Sequence, residues 1–316
     1  MPFLRNVFVA LTTFALTLPV VHSLSAATVD VLVPAYANPC CDGGPNMWSA
    51  LIATASDPNR NFQLHVIFNP ASGPGVTRDG NYVDATGAGP LKDLRSAGGI
   101  THGYVATGFG DRSVAAVKAD IDAYLTGHYA GFVDGVFFDE MSNDLADVGY
   151  YQDLKDYIDS VQSGVRTFGN PGTTFVNNPS SQTTFTAADY MDSLDTIVSF
   201  EITSDEYTNN YTSFPYLEGL SSSKIAHIVH THPDWNDSVV ELASQRGAGF
   251  LFVTDDAMAG DDNPYDTLPT YWTDFVSGVS AFNSSAVPEP STMAISGIAS
   301  LLLLVRRRRL QVPGLA

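Results

Sequence analysis

The sequence predicts an α/β protein with a single domain, a (β/α)8 TIM barrel. Eight short apolar runs each end at polar, glycine or proline residues, and each is followed by a segment of helical character. This alternation favours parallel strands joined by right-handed crossovers. All eight units fall within residues 28–286, which is the usual size of such a barrel.

In chain order, the predicted strands are Val29–Val33, Leu64–Phe68, Gly103–Ala106, Val133–Phe138, Arg166–Gly169, Thr196–Phe200, Ile225–Val229 and Gly249–Val253. The predicted helices are Trp48–Ala55, Tyr82–Ala97, Ser113–Tyr124, Tyr150–Ser163, Ala187–Leu194, Leu217–Ser222, Ser238–Arg246 and Thr270–Val279. The rival fold is an open doubly wound sheet, which usually carries a glycine-rich turn after its first strand. Residues Pro34–Pro39 occupy that turn here, and their sequence is not a phosphate cradle.

Both ends of the chain have the composition of targeting segments. Residues 1–27 combine Arg5, an apolar run and the small residues Ser25–Ala27, which is typical of a secretory signal peptide. The apolar run is shorter than the ~20 residues of a membrane span, so a retained anchor is the less favoured alternative.

Residues 287–316 contain Pro288-Glu289-Pro290, an apolar stretch from Met293 to Val305 and four consecutive arginines, Arg306–Arg309. The stretch is short for a stable span, and the arginines would hold its end on the inner side of a membrane. The order of these features resembles the PEP-CTERM sorting signal of Gram-negative bacteria, which an exosortase is thought to process. The resemblance implies transient membrane anchoring, processing by an exosortase-type enzyme, and export to the cell surface or extracellular matrix.

The chain is strongly acidic, with 15 Lys and Arg against 34 Asp and Glu and a formal charge of −19. This balance argues against a nucleic-acid partner, which needs clustered basic residues. It favours a soluble secreted protein, which we expect to be a monomer, and it would attract a polycationic ligand. The two cysteines, Cys40 and Cys41, are adjacent and offer neither a disulfide framework nor zinc spacing. Two unpaired thiols are favoured, and a strained vicinal disulfide stays open.

Carboxylates close two of the predicted strands at the end where barrel enzymes carry their chemistry. Asp139 and Glu140 follow Phe137-Phe138, and Glu201 follows Phe200. A carboxylate behind buried aromatics is partly desolvated, which raises its pKa and suits it to general-acid work. Glycoside hydrolysis uses a pair of such carboxylates, one on each side of the scissile bond. The alternative is that these acids cap the following helices or pair with arginine.

The expected roles follow from position. Asp139 is expected to be the nucleophile or the charge stabiliser at the anomeric carbon, and Glu201 the general acid/base. Glu140 points away from Asp139 along the strand, so it would orient Asp139 or bind substrate. Asp205 and Glu206 lie beyond the strand and are expected in a solvated loop.

Polar and aromatic residues at the other strand ends are expected to bind substrate, because sugar rings pack on aromatic faces. They are Tyr36, Asn69, Tyr104, Asn170, His230, Asp255 and Tyr265. No cofactor and no metal are expected. Two alternatives remain open: a metal held by His230 and His232 with Asp255 or Asp256, and a structural calcium ion in the Asp255–Asp266 run.

The order of motifs also resembles the spherulin-4 family, grouped with glycoside hydrolase family 135, over residues 31–276. The motifs are Val33-Pro34-Ala35-Tyr36, Ile67-Phe68-Asn69-Pro70, Gly73-Pro74-Gly75, Gly103-Tyr104-Val105-Ala106-Thr107 with Arg112, Asp134-Gly135-Val136-Phe137-Phe138-Asp139-Glu140, Gly169-Asn170-Pro171-Gly172-Thr173, Phe200-Glu201, His230, Val253-Thr254-Asp255-Asp256 and Asn263-Pro264-Tyr265. The resemblance implies a barrel hydrolase that cleaves α-1,4-linked N-acetylgalactosamine in matrix polysaccharides. It carries the essential acids over as Asp139, Glu140 and Glu201, and it adds Arg112 to the expected substrate contacts. Cys40-Cys41 and the Thr174–Phe185 insertion depart from the family pattern.

These observations favour a secreted endo-acting glycosidase for a galactosamine-containing exopolysaccharide of a biofilm matrix. A second interpretation is a carbohydrate-binding matrix or surface protein on the same barrel without catalysis. A third is a metal-dependent polysaccharide deacetylase that uses His230.

Overall fold

The computed structural model describes residues 28–41, 43–177, 184–258 and 263–286. The predicted signal peptide and sorting segment lie outside these residues. Eight parallel strands close a barrel in chain order, so the predicted fold class is confirmed. The strands are β1 (Asp30–Ala35), β2 (Leu64–Phe68), β3 (Ile100–Ala106), β4 (Gly135–Asp139), β5 (Arg166–Gly169), β6 (Thr196–Thr203), β7 (Ile225–His230) and β8 (Phe250–Val253).

One helix follows each strand. The helices are α1 (Gly44–Ser56), α2 (Pro90–Ser96), α3 (Val114–Leu125), α4 (Val148–Val161), α5 (Ala187–Asp192), α6 (Ser204–Asn209), α7 (Ser238–Gln245) and α8 (Trp272–Ala286). Among the described residues, none of these helices is both long and apolar enough to cross a membrane.

The second predicted helix starts too early. The segment before Pro90 is a compact turn in which the Asp84 carboxylate accepts the Thr86 and Ala88 N–H groups at 2.8 and 3.0 Å. Such side-chain bonds satisfy backbone donors outside a helix and so compete with helix formation. The helix therefore begins at Pro90, whose fixed φ suits the first helical turn.

The predicted helix at Leu217–Ser222 is wrong. Only single 3-10 turns occur there, at Pro215–Leu217 and Ser222–Lys224, and Gly219 lies between them with φ of +76°. The helix is instead α6, which begins directly after β6. The Thr203 hydroxyl caps it by accepting the Glu206 N–H. Asp205 and Glu206 therefore lie in the first turn of a helix rather than in a loop, with exposed side chains.

Strand β6 is longer than predicted, and Glu201 lies within it. Its pairing with β7 is irregular between Val198 and Phe200, after which Phe200 pairs with His227 and Glu201 with Ile228. Side chains alternate between the two faces of a strand, so a one-residue shift changes the face that every later side chain occupies. This irregularity sets the direction of the Glu201 side chain.

A pair of histidines fills the barrel near the start of the strands. His65 and His102 are buried, their rings are parallel within 4°, and His65 Nδ1 lies 2.9 Å from His102 Nε2. Phe168 and Phe250 pack against His65, and the Arg166 guanidinium lies over both phenylalanine rings. The interior is therefore a packed core that separates the two ends of the barrel.

The first and last elements are joined by one buried side chain. Asn283 of α8 accepts the Val29 N–H and donates to the Val29 and Asn61 carbonyls, all at 2.7–2.8 Å. Val29 precedes β1 and Asn61 precedes β2. Asn283 thus fastens α8 to the start of the barrel domain, at the face where the strands begin.

Candidate active site

Two carboxylates meet at the face where the strands end, and one amide joins them. Asp139 is the last residue of β4, Glu201 is in β6, and Asn170 follows β5 between them. Asn170 Nδ2 donates to Asp139 Oδ1 at 3.0 Å and to Glu201 Oε2 at 2.7 Å. The two carboxylate oxygens are therefore separated by no more than the sum of these lengths, 5.7 Å.

Three tyrosines surround this pair. The Tyr265 hydroxyl donates to Glu201 Oε1, and the Tyr104 side chain hydrogen-bonds Asp139. The Tyr36 ring packs edge-on against both Tyr104 and Tyr265, with ring centres 5.4 and 5.7 Å away. Burial raises the pKa of each of these hydroxyls, and the nearby carboxylates raise it further. All three phenols therefore stay protonated and able to donate hydrogen bonds.

The electrostatics of the pair distinguish Asp139. Burial raises its pKa to about 6, and the negative charge of Glu201 adds to this; hydrogen bonds from Tyr104 and Asn170 oppose the rise. An acid with such a pKa carries its proton in a large fraction of molecules in mildly acidic water. Sequence reasoning expected a raised pKa at a carboxylate that ends a strand, and Asp139 is such a carboxylate.

Glu140 has a strained backbone and an exposed side chain. Its φ of +49° is left-handed, which is uncommon outside glycine. Its carbonyl accepts the Phe109 N–H at 2.6 Å and the Thr107 hydroxyl at 2.7 Å. The turn sends Glu140 out of the strand, and its charge still acts on Tyr104. Glu140 therefore lies at the edge of the site rather than between the carboxylates.

The histidines of β7 have different surroundings. His230 is near Glu201, whose charge partly opposes the lowering of the His230 pKa by burial, and its Nδ1 lies 2.9 Å from the Thr231 hydroxyl. His227 is fully buried against the Tyr207 hydroxyl, and His232 Nδ1 contacts the Ser204 hydroxyl at 2.6 Å. The described residues contain no group of three or more His, Cys, Asp or Glu side chains that could share a metal ion.

The comparisons with known proteins match the part of the chain that forms the barrel. The model of the spherulation-specific family 4 matches residues 30–279, which is the barrel. The chain belongs to this family. The curated protein Spherulin-4 of Physarum polycephalum is 29% identical over 272 residues, covering 83% of this chain and 74% of that protein.

A solved relative has the same fold. The crystal structure of Aspergillus clavatus Sph3 in complex with GalNAc superimposes with a TM-score of 0.65 at 23% identity, covering 81% of this chain and 99% of that one. Separately, the PEP-CTERM protein-sorting motif matches residues 286–309. The chain therefore combines a barrel of the spherulation-specific family 4 with a C-terminal sorting motif.

Two residues of the family motifs that were expected to bind substrate make other contacts. The Arg112 guanidinium forms an ion pair with Asp120 at 2.8 Å and donates to the Ala106 carbonyl, so it fastens the loop after β3. The Asn69 side-chain oxygen accepts the Gly73 N–H at 3.0 Å within its own loop. These partners lie four to eight residues away along the chain, and the short motifs did not reveal them.

Asp255 is also engaged elsewhere. Its carboxylate accepts the Thr270 N–H at 3.1 Å and the Thr270 hydroxyl, just before α8. These bonds hold the Asp255 carboxylate against the segment that leads into α8. The geometry therefore favours a structural role for Asp255.

Cys40 and Cys41 form a disulfide bond, so the expectation of two unpaired thiols is wrong. Both residues are exposed in the loop between β1 and α1. The Asn38 side chain holds this loop by accepting the Cys40 N–H and donating to Asp79 at 2.7 Å. The disulfide thus lies on the loop that begins at Tyr36.

Proposed function

We propose that the chain is a secreted glycoside hydrolase that cleaves α-1,4-linked N-acetylgalactosamine in a galactosamine-containing exopolysaccharide. The observation that carries this proposal is the Asn170 amide bridging Asp139 and Glu201 beside three phenol donors. Paired carboxylates of this kind are what glycoside hydrolysis requires. The sugar is suggested by the family and by the GalNAc in the related Sph3 structure.

The separation of the carboxylates favours retention of configuration. Retaining enzymes hold their carboxyl groups ~5–5.5 Å apart, whereas inverting enzymes leave ~6.5–9.5 Å for a water. The distance between Asp139 Oδ1 and Glu201 Oε2 is at most 5.7 Å, which is below the ~6.5 Å at which the inverting range begins. A covalent glycosyl-enzyme intermediate is therefore part of the proposal.

The raised pKa of Asp139 favours roles in the reverse order to that expected from sequence. Protonated Asp139 donates its proton to the glycosidic oxygen as the bond to the anomeric carbon breaks, and Glu201 attacks that carbon. Asp139, now ionised, removes a proton from a water that displaces Glu201 and so regains its starting form. Asn170 and Tyr265 hold the two Glu201 oxygens through the cycle. Glu140 and His230 border this site and are proposed to bind substrate.

The test compares three conservative variants with wild type on partly deacetylated α-1,4-galactosaminan. Asp139→Asn and Glu201→Gln should each lower kcat/KM by about a thousandfold or more, as loss of a catalytic carboxylate does. Glu206→Gln removes an exposed acid of α6 and is the control, with activity near wild type. No oligosaccharide from any hexosamine polymer with the wild-type chain would refute the proposal. Full activity of Glu201→Gln with loss in Glu206→Gln would refute the site.

The sorting motif favours one second candidate, a matrix or surface protein that binds the same polymer without cleaving it. Size analysis of the polymer separates the two functions, since a binder retains the chain at its original length. In either case we propose that residues 1–27 direct export. We also propose that an exosortase-type enzyme processes the C-terminal segment at the surface of a Gram-negative cell.

A further inference from the structure

The loop after β3 displays a phenylalanine in a conformation that suits glycine. Gly108, Phe109 and Gly110 are all left-handed, with φ of +58°, +56° and +88°. This conformation costs free energy in a residue that has a Cβ, and glycine avoids the cost. The two flanking positions are glycine, whereas the central one carries a ring that is 61% exposed. The turn itself gives no reason for the ring.

The ring is nevertheless held in a fixed place. The Phe109 N–H donates to the Glu140 carbonyl at 2.6 Å, and the Thr107 hydroxyl contacts the same carbonyl at 2.7 Å. Thr107 in turn contacts the Tyr151 hydroxyl in the core at 3.0 Å. Because Glu140 directly follows Asp139, these bonds tie Phe109 to the backbone beside the carboxylate pair.

Packing does not account for the ring. Its exposure means that it buries little apolar surface, and it makes no ring contact with another aromatic side chain among the described residues. The other well exposed phenylalanine, Phe175, packs edge-on against Phe214. Phe109 therefore combines a strained backbone, an exposed ring and a fixed position next to the site, which is the pattern of a ligand-binding residue.

We propose that Phe109 is the platform of a second sugar subsite, on which one face of a hexosamine ring of the polymer stacks. This inference rests on the proposed function, since it assumes a polymer that extends beyond the sugar held between Asp139 and Glu201. A pyranose presents C–H groups on its face, and these pack on the electron-rich face of an aromatic ring.

The charges around the loop favour an amino sugar that has lost its acetyl group. Asp111 on the same loop and Glu140 beside it are exposed, and neither forms an ion pair with any residue in the described part of the chain. Asp147 of the next loop is adjacent as well, because a Cβ on Gly110 would lie 3.2 Å from its carboxylate. Arg112 of this loop is already in an ion pair, so an ammonium group on the stacked sugar would have mainly anionic neighbours there.

Binding of partly deacetylated α-1,4-galactosaminan, measured by co-sedimentation in an Asp139→Asn background, tests the subsite without turnover. Phe109→Gly should weaken binding about threefold to tenfold, the size of one aromatic contact. Phe109→Trp should bind like the parent. Affinity for the single sugar GalNAc should stay the same in all three proteins, because it occupies the site between the carboxylates.

Phe175→Ala is the matched control and should change binding less than twofold. Unchanged binding in Phe109→Gly, an equal loss in Phe175→Ala, or a Tm of Phe109→Gly clearly below its parent would each overturn the proposal. Equal affinity for fully acetylated polymer would overturn the amino-sugar assignment. A wild-type chain that binds but never cleaves would refute the hydrolase alone, while cleavage with unaltered Phe109→Gly binding would refute the subsite alone.

Discussion

At the scale of single residues, the buried Asp139 carboxylate of the candidate site lowers the stability of the fold once it is ionised. Its folded pKa of about 6 lies above the ordinary value of 3.8, mainly because the carboxyl is buried and faces Glu201. Between these pH values the folded chain keeps a proton that the unfolded chain has lost. Stability therefore falls as pH rises through this interval, and above it the ionised Asp139 costs about 3 kcal/mol.

Asp139→Asn should remove this cost, because asparagine cannot ionise and its oxygen still accepts from Asn170. We expect the Tm of the variant to exceed that of wild type by roughly 3–10 °C at pH 7.5. The two should agree near pH 4, where Asp139 is protonated in the wild-type fold. Thermal unfolding across pH checks this, with Glu206→Gln as the control. A Tm difference that did not change with pH would contradict the burial argument.

At the scale of elements, the strands meet so closely that some positions admit no side chain. A Cβ on Gly135, the first residue of β4, would lie 2.2 Å from His102 Nδ1 and 2.6 Å from the Arg166 carbonyl oxygen. The carbonyl belongs to β5 and cannot rotate away. Gly80, in the loop after β2, has nothing within 4 Å of the same position.

Gly135→Ala should therefore destabilise the barrel by more than about 3 kcal/mol, through overpacking of backbone against backbone. Gly80→Ala adds the same atom in open space, and its effect should stay within ~0.5 kcal/mol. Urea unfolding of both variants beside wild type gives the comparison. Equal stabilities would mean that β3, β4 and β5 are packed less tightly than described.

The elements also show which parts of the structure sequence can predict. Apolar runs ending in Asp139, Asn170 and Glu201 predict neighbouring strand ends, because consecutive strands of a barrel are adjacent. The run of β6 does not predict its irregular pairing near Phe200, which depends on β7 and directs Glu201. The sequence pattern also does not predict that Asp255 accepts a hydrogen bond from Thr270 or that Arg112 pairs with Asp120. Those partners follow from how loops pack, which local pattern does not encode.

At the scale of the whole molecule, buried histidines set the response to acid. Burial lowers the pKa of His65 and His227 to about 3, and that of His102 also falls well below 6.5. As pH drops below 6.5, the unfolded chain takes up protons that the fold excludes. Stability should therefore be lost progressively between about pH 6.5 and pH 3.

The double variant His65→Leu/His102→Leu measures how much of this loss of stability in acid comes from the two stacked histidines inside the barrel. Plotted against pH between 4 and 6, its free energy of unfolding should have a slope smaller by about two protons, or ~3 kcal/mol per pH unit. His128→Gln alters a partly exposed histidine outside the barrel interior and is the control variant. Parallel curves for the double variant and wild type would show that the pair does not exclude protons.

The hydrogen bonds of Asn283 bring the two ends of the barrel domain together, and this fixes where the domain is attached to the rest of the chain. Chain entry at Val29 and chain exit at Ala286 share one pole of the molecule, and the carboxylate pair occupies the other. The match to the sorting motif begins at residue 286, where α8 ends at that first pole. A molecule tethered through that motif would be attached at the pole opposite the mouth, and the mouth would stay accessible to polymer. A tag or support attached at the same end would leave the mouth equally open.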